Sequence, residues 1–304
     1  MKTEMRRSCG GKIEYHADDF GLFPMQSQRI LDCYRNGCLN GVSIFSNSPH
    51  LETCMQMLEE KHAKPALTVH LNIIEGRSLA PAEEVPLLVN KDGVFRVGFG
   101  SLLLHSFLHR RKQYYSQLKT ELKAQILAAK PYFEGEPLRL DGHAHYHMIP
   151  VVFDAMMDVI REEKLDVSYI RIPREHLSLY FRNRKCLRDF SPINLVKVGI
   201  LNILALRNGR KYAERLSEME QKLFMGVFLS GCMYYENVSP ILRDAEALAM
   251  QKGWGLEVLA HPGGVYEAED IRMLTNQDDI RFLTSDHRRK EAGLFQLREE
   301  ALAR

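Results

Sequence analysis

Short β-prone runs alternate with helical stretches along most of this chain, and that alternation limits the fold more than any other feature of the sequence. Gly41–Phe45 and Ala66–Leu71 are apolar and partly β-branched. A helical stretch precedes each of them: Pro24–Asn36, opened by its proline and followed by Gly37, and Leu51–Glu60. Residues 12–16 read as a first strand, which Ala17-Asp18-Asp19-Phe20-Gly21 is expected to break. Further strands are expected within 139–147, 168–175, 225–231 and 254–260, and helices over 101–130, 151–163 and 239–253. Strand followed by helix, repeated, is the pattern of parallel βα units. Seven candidate strands predict an α/β fold, an irregular, TIM-barrel-like (β/α) barrel with helical and loop insertions. No Gly-x-Gly-x-x-Gly follows a strand, so a dinucleotide site lacks support.

The length of 304 residues suits one barrel domain over 1–304, with insertions near 76–112 and 176–222. A net charge of +2, from 41 basic against 39 acidic residues, gives no bulk attraction to nucleic acid or to an anionic membrane. The six cysteines, at 9, 33, 38, 54, 186 and 232, form no Cys-x-x-Cys pair and read as reduced thiols of a cytoplasmic protein. The charged N-terminus runs into no apolar segment, so no signal peptide is expected. Residues 194–206 are the most apolar long segment; too short for a bilayer and carrying Lys197, they predict a buried helix and no membrane span. The surrounding helical stretch, 176–222, is expected to cover part of the barrel or to form a subunit contact, which leaves a homo-oligomer open. The basic run His109-Arg110-Arg111-Lys112 reads as a solvated face, and 286–304 as a charged surface helix.

Polar groups gather where strands are expected to end. Asp18 and Asp19 follow the first strand, His70 stands near the end of the third, and His261 follows the last. The richest stretch is Asp141-Gly142-His143-Ala144-His145-Tyr146-His147. Were it extended, its carboxylate and three imidazoles would share one face, a poor fit to a hydrophobic core. Arg171 and Arg174 close another strand, placed to clamp a substrate oxygen or to pair with a carboxylate; an ion pair with Glu175 is the plainer reading. In a parallel barrel these strand ends converge on one mouth. A carboxylate and two imidazoles leave open positions on a divalent cation that activates water. A second carboxylate would then take the proton, and His261 would protonate the leaving group, which makes a hydrolase site.

Five segments, in order, resemble the YdjC-like carbohydrate deacetylase family, which includes chitooligosaccharide deacetylases and hopanoid-biosynthesis-associated members. They are Ala17-Asp18-Asp19-Phe20-Gly21, Val69-His70-Leu71-Asn72, the 141–147 stretch, Arg171-Ile172-Pro173-Arg174-Glu175 and His261-Pro262-Gly263. The resemblance implies removal of an acetyl group from an N-acetylated sugar or oligosaccharide, with one divalent ion per chain, Mg or Zn. It implies Asp19, His70 and His143 as metal ligands and Asp18 as catalytic base. His261 is our inference for the acid, and Asp141, His145, Arg171 and Arg174 are expected to hold ligands or substrate. The chain departs from the family pattern at His16, where Asn is usual, and at Arg139, where His is common. A metal-dependent phosphoesterase or another amidohydrolase is the alternative activity, and a carbohydrate-binding barrel without turnover a second alternative.

Overall fold

The structure is a computed structural model that describes residues 13–295, except 109, 184–186, 189 and the side chain of 278. Among the described residues seven strands are formed: β1 (Ile13–Phe20), β2 (Gly41–Phe45), β3 (Ala66–Leu71), β4 (Leu138–Gly142), β5 (Val167–Ile170), β6 (Lys222–Met225) and β7 (Gly255–Ala260). They make one parallel sheet in the order β5-β4-β3-β2-β1-β7-β6. The sheet curls into a half-barrel with helices outside it, the α/β arrangement that the alternation predicts.

The two end strands, β5 and β6, form no ladder with each other. Before β6 the Glu220 amide donates to the Ser168 carbonyl, at 2.8 Å. At the other end of the gap the buried Glu175 carboxylate accepts the amides of Gly226, Val227 and Phe228, at 2.7, 2.6 and 3.1 Å. These are backbone donors that a neighbouring strand would otherwise satisfy. Glu175 therefore forms no surface ion pair with Arg174, which is exposed.

Several expected elements shift. β1 does not break at Ala17: its register against β2 slips between Ala17 and Phe20, and Asp19 takes a left-handed φ of 70°, so the strand runs on through a bulge. β6 lies ahead of the expected 225–231, and β5 stops at Ile170. The expected 101–130 helix is two, Phe99–His105 and Arg111–Ala129. The helix Pro192–Lys211, expected to be buried over 194–206, is buried on one side only: Val198, Leu201 and Leu204 face the core, whereas Val196 and Ile203 are exposed. The tail is not a surface helix, since Asp286–Glu291 buries both Arg288 and Glu291; residues 296–304 lie outside the described residues. No disulfide links Cys33, Cys38, Cys54 and Cys232; Cys9 and Cys186 lie outside the described residues, as does the N-terminal segment read for a signal peptide. Among the described residues no helix is long and apolar enough to cross a membrane.

Candidate active site

Alternate residues of β1, Glu14, His16 and Asp18, share one face, and that face is the inside of the barrel. His16 Nδ1 meets Glu14 at 2.7 Å and its Nε2 meets Ser43 of β2, also at 2.7 Å. The Ser43 hydroxyl donates to Asp141 of β4 at 2.5 Å. Arg139 pairs with Glu14 at 2.5 Å and Lys222 closes on the same carboxylate, while Glu257 of β7 takes Arg171 at 2.7 Å and the Tyr169 hydroxyl. The lumen is therefore filled by paired charges, and the apolar core lies between the sheet and its helices.

At the mouth three ligand-type atoms converge. Asp19 Oδ1 lies 3.0 Å from His143 Nδ1 and 3.5 Å from His70 Nε2, and the two ring nitrogens are 3.3 Å apart. A tetrahedral ion with ligand bonds of ~2.0–2.1 Å separates its ligand atoms by about 3.4 Å, so the spacing fits a single divalent cation. The ring of Phe45 stands against both imidazoles, at centroid distances of 5.7 and 5.2 Å, and supplies an apolar wall.

Each of the three groups is also held by its other polar atom. His70 Nδ1 meets Asp141 at 2.7 Å, His143 Nε2 meets Asp279 at 2.9 Å, and Asp19 Oδ2 accepts from Arg288 at 2.8 Å. These partners fix the tautomer in which His70 Nε2 and His143 Nδ1 offer lone pairs to the shared centre. Asp279 and Arg288 were not singled out in the sequence. Arg288 lies in the 286–304 tail that reads as a charged surface helix, and no local spacing reveals that it or Asp279 folds back over the mouth.

The 141–147 stretch is not extended. β4 ends at Gly142, and His143–Met148 forms a 3-10 turn in which Ala144 and His145 have φ of 47° and 60°. The three imidazoles therefore leave in different directions. Gly142 is required here: a Cβ would lie 2.9 Å from His147 Nδ1 and 3.1 Å from the Leu71 carbonyl. His147 donates Nε2–H to the Arg171 carbonyl at 2.8 Å, and burial pushes its pKa down to about 4. His145 is held well below the usual imidazole range by burial and by Arg171; its Nδ1 is buried without a hydrogen-bond partner.

Asp18 stands beside the three convergent groups and is fixed by Arg171, whose Nη1 lies 2.9 and 3.0 Å from its two oxygens. Burial alone would raise its pKa, but Arg171 and His70 outweigh burial and hold Asp18 ionised. His261 directly follows β7. Its amide donates to Glu291 at 2.7 Å and its Nδ1 faces the same carboxylate at 3.5 Å. Burial would likewise lower the pKa of His70, yet Asp141 and Asp18 raise it to about 9; Asp279 and Asp19 raise that of His143. The structure thus brings Asp18, Asp19, His70, Asp141, His143, His145, Arg171 and His261 around one mouth, and leaves Arg174 on the surface.

The YdjC-like protein family profile matches residues 12–296. Among curated relatives, a carbohydrate deacetylase of Danio rerio is 29% identical over 164 residues, 54% of this chain and 50% of that protein. A carbohydrate deacetylase of Thermoanaerobacter pseudethanolicus is 27% identical over 53% of this chain and 61% of its own. A chitooligosaccharide deacetylase of Yersinia pestis is 27% identical over 51% and 58%. The chain thus spans about half the length of the curated relatives it matches. A crystal structure from Enterococcus faecalis V583, described as that of a candidate cellobiose-phosphate cleavage protein, superposes with a TM-score of 0.57 at 15% identity, covering 96% of this chain and 98% of that one. At that identity it supports the fold alone.

Proposed function

The chain belongs to the YdjC-like protein family, and from that premise we propose that it hydrolyses the acetamide of an N-acetylated sugar or oligosaccharide at a centre built on one divalent cation. The observation that carries the reading is the convergence of Asp19 Oδ1, His70 Nε2 and His143 Nδ1 within 3.0–3.5 Å of one another, each group anchored by a second partner. Two imidazoles and one carboxylate favour Zn over Mg. When bound, the cation supplies Lewis acidity toward water and toward the acetyl oxygen.

The chain's own residues supply the proton traffic and the positioning. Asp18, kept ionised by Arg171, takes the proton from the attacking water. His261, oriented by Glu291, gives a proton to the departing sugar nitrogen, so acetate and a free amine leave. His145, a neutral imidazole beside Asp18 and Arg171, is a substrate-contacting group in this reading. Asp141, Asp279 and Arg288 hold the three ligands. The test is acetate release from a panel of N-acetylated mono- and oligosaccharides, with Zn or Mg restored after chelation. Release that depends on added metal is expected, and no release from any member by the metal-loaded protein removes the proposal.

A further inference from the structure

We propose that the protein docks on an anionic lipid bilayer through an apolar and basic face beside the mouth. The face begins with the helix Pro192–Lys211, which carries apolar residues on its outer side as well as on its buried side. Its amides turn inward: Asn194 Nδ2 donates to the Phe228 and Ser230 carbonyls, Asn202 exchanges two 3.0 Å hydrogen bonds with the Glu175 backbone, and Asn208 Nδ2 donates to the Met148 carbonyl. These contacts fasten the helix across the loops that follow β4, β5 and β6, on the side of the barrel where the site opens.

Val198, Leu201 and Leu204 also face inward, yet four further apolar residues of the same helix turn outward. Ile193, Val196, Ile203 and Leu206 are 61%, 60%, 67% and 42% exposed, although a helix normally buries such a stripe. A Cβ placed on Gly199, in the middle of that helix, would meet nothing within 4 Å. A second apolar group, Leu104, Phe107 and Leu108, stands across the start of the helix Pro150–Glu162, where Asp154 ties Arg111 to Arg207. Exposed large hydrophobics gathered in this way mark an interaction surface.

The charge around them identifies the partner. From Gly93 to Thr120 the sequence contains no acidic residue, and from Phe190 to Tyr212 none, against four arginines and lysines. Arg110, Lys112, Lys197 and Arg210 are exposed and form no ion pair among the described residues. A second copy of the chain related by a two-fold axis would bring this face against itself, cation to cation, which association disfavours. Apolar side chains ringed by cations match the headgroup boundary of a bilayer carrying anionic lipid. The near-zero net charge of the whole chain conceals this local excess.

The test uses the full chain and does not depend on the deacetylase reading: co-sedimentation with phosphatidylcholine vesicles, with and without phosphatidylglycerol. Binding to the anionic vesicles alone is expected, weakening as salt rises. Binding should weaken about fivefold for each cation neutralised in Lys197→Gln and Arg210→Gln, and should be lost in Val196→Ser/Ile203→Ser. Leu127→Ser, an exposed apolar residue elsewhere, should leave it unchanged. The proposal is overturned if the wild-type chain ignores anionic vesicles at low salt. It is overturned equally if the chain is a dimer that Val196→Ser/Ile203→Ser makes monomeric, because the face then belongs to a second copy.

Discussion

Of the three groups of carboxylates and imidazoles with ligand-like spacing among the described residues, two that share no residue differ in how their negative charge is met. In the lumen, Glu14, His16 and Glu257 lie close enough to share an ion, as Asp19, His70 and His143 do at the mouth. The lumen group is already neutralised by side chains: Arg139 and Lys222 on Glu14, Arg171 on Glu257. Glu14 is held well below the usual carboxylate range despite burial, chiefly by Arg139. At the mouth the only guanidinium described on Asp19 is that of Arg288, on the oxygen turned away from the imidazoles. Spacing alone therefore does not make a metal site. What matters is whether cations belonging to the chain already fill the place.

The largest expected effect separates the two groups directly. His143→Ala should abolish tight Zn binding, measured by calorimetry on chelator-stripped protein, whereas His16→Gln should leave it intact; loss of binding in His16→Gln would erase the distinction. Asp18→Asn should retain the metal yet lose ~10²–10⁴-fold in acetate release, the usual contribution of a positioned base. Normal turnover by that variant would assign the base elsewhere.

A smaller effect is expected behind the proposed ligands. Asp279→Ala should weaken Zn binding ~10–100-fold by freeing the second nitrogen of His143, measured by calorimetry on protein that still unfolds cooperatively without metal. Unaltered affinity would reduce Asp279 to a surface contact. Smaller still is the pH effect. The His70 pKa is raised from 6.5 to about 9 in the metal-free protein. The ion pair with Asp141 therefore contributes fully to stability below about pH 6.5 and fades as pH rises through about 9. A metal must displace that proton, so Zn affinity should climb with pH across this window. Calorimetry in buffers of different ionisation enthalpy should show proton release at pH 7; none would mean that His70 is already neutral.

The parallel strands and the residues of the mouth were legible because both depend on short-range signals, namely alternation with helices and polar residues at strand ends. The lumen was half legible: Glu14, His16 and Asp18 alternate with Tyr15 and Ala17 at the period of a strand, but nothing local shows that the polar side faces inward. Asp279 and Arg288 were not legible, since they reach His143 and Asp19 from 136 and 269 residues away. The helix Pro192–Lys211 misled for another reason. An apolar segment looks buried when partner and solvent cannot be told apart, and only the three inward asparagines, visible once the fold is known, fix which side is covered.

The glutamate that bridges β5 and β6 has a consequence for the width of the barrel. Elsewhere the circumference is fixed by ladders of backbone hydrogen bonds, which admit change only in whole strands. At this seam it is fixed in large part by the reach of one side chain from Glu175 to three amides. A single substitution there can alter the girth of the wall, and with it the size of molecule the mouth admits, without touching any residue proposed to do chemistry.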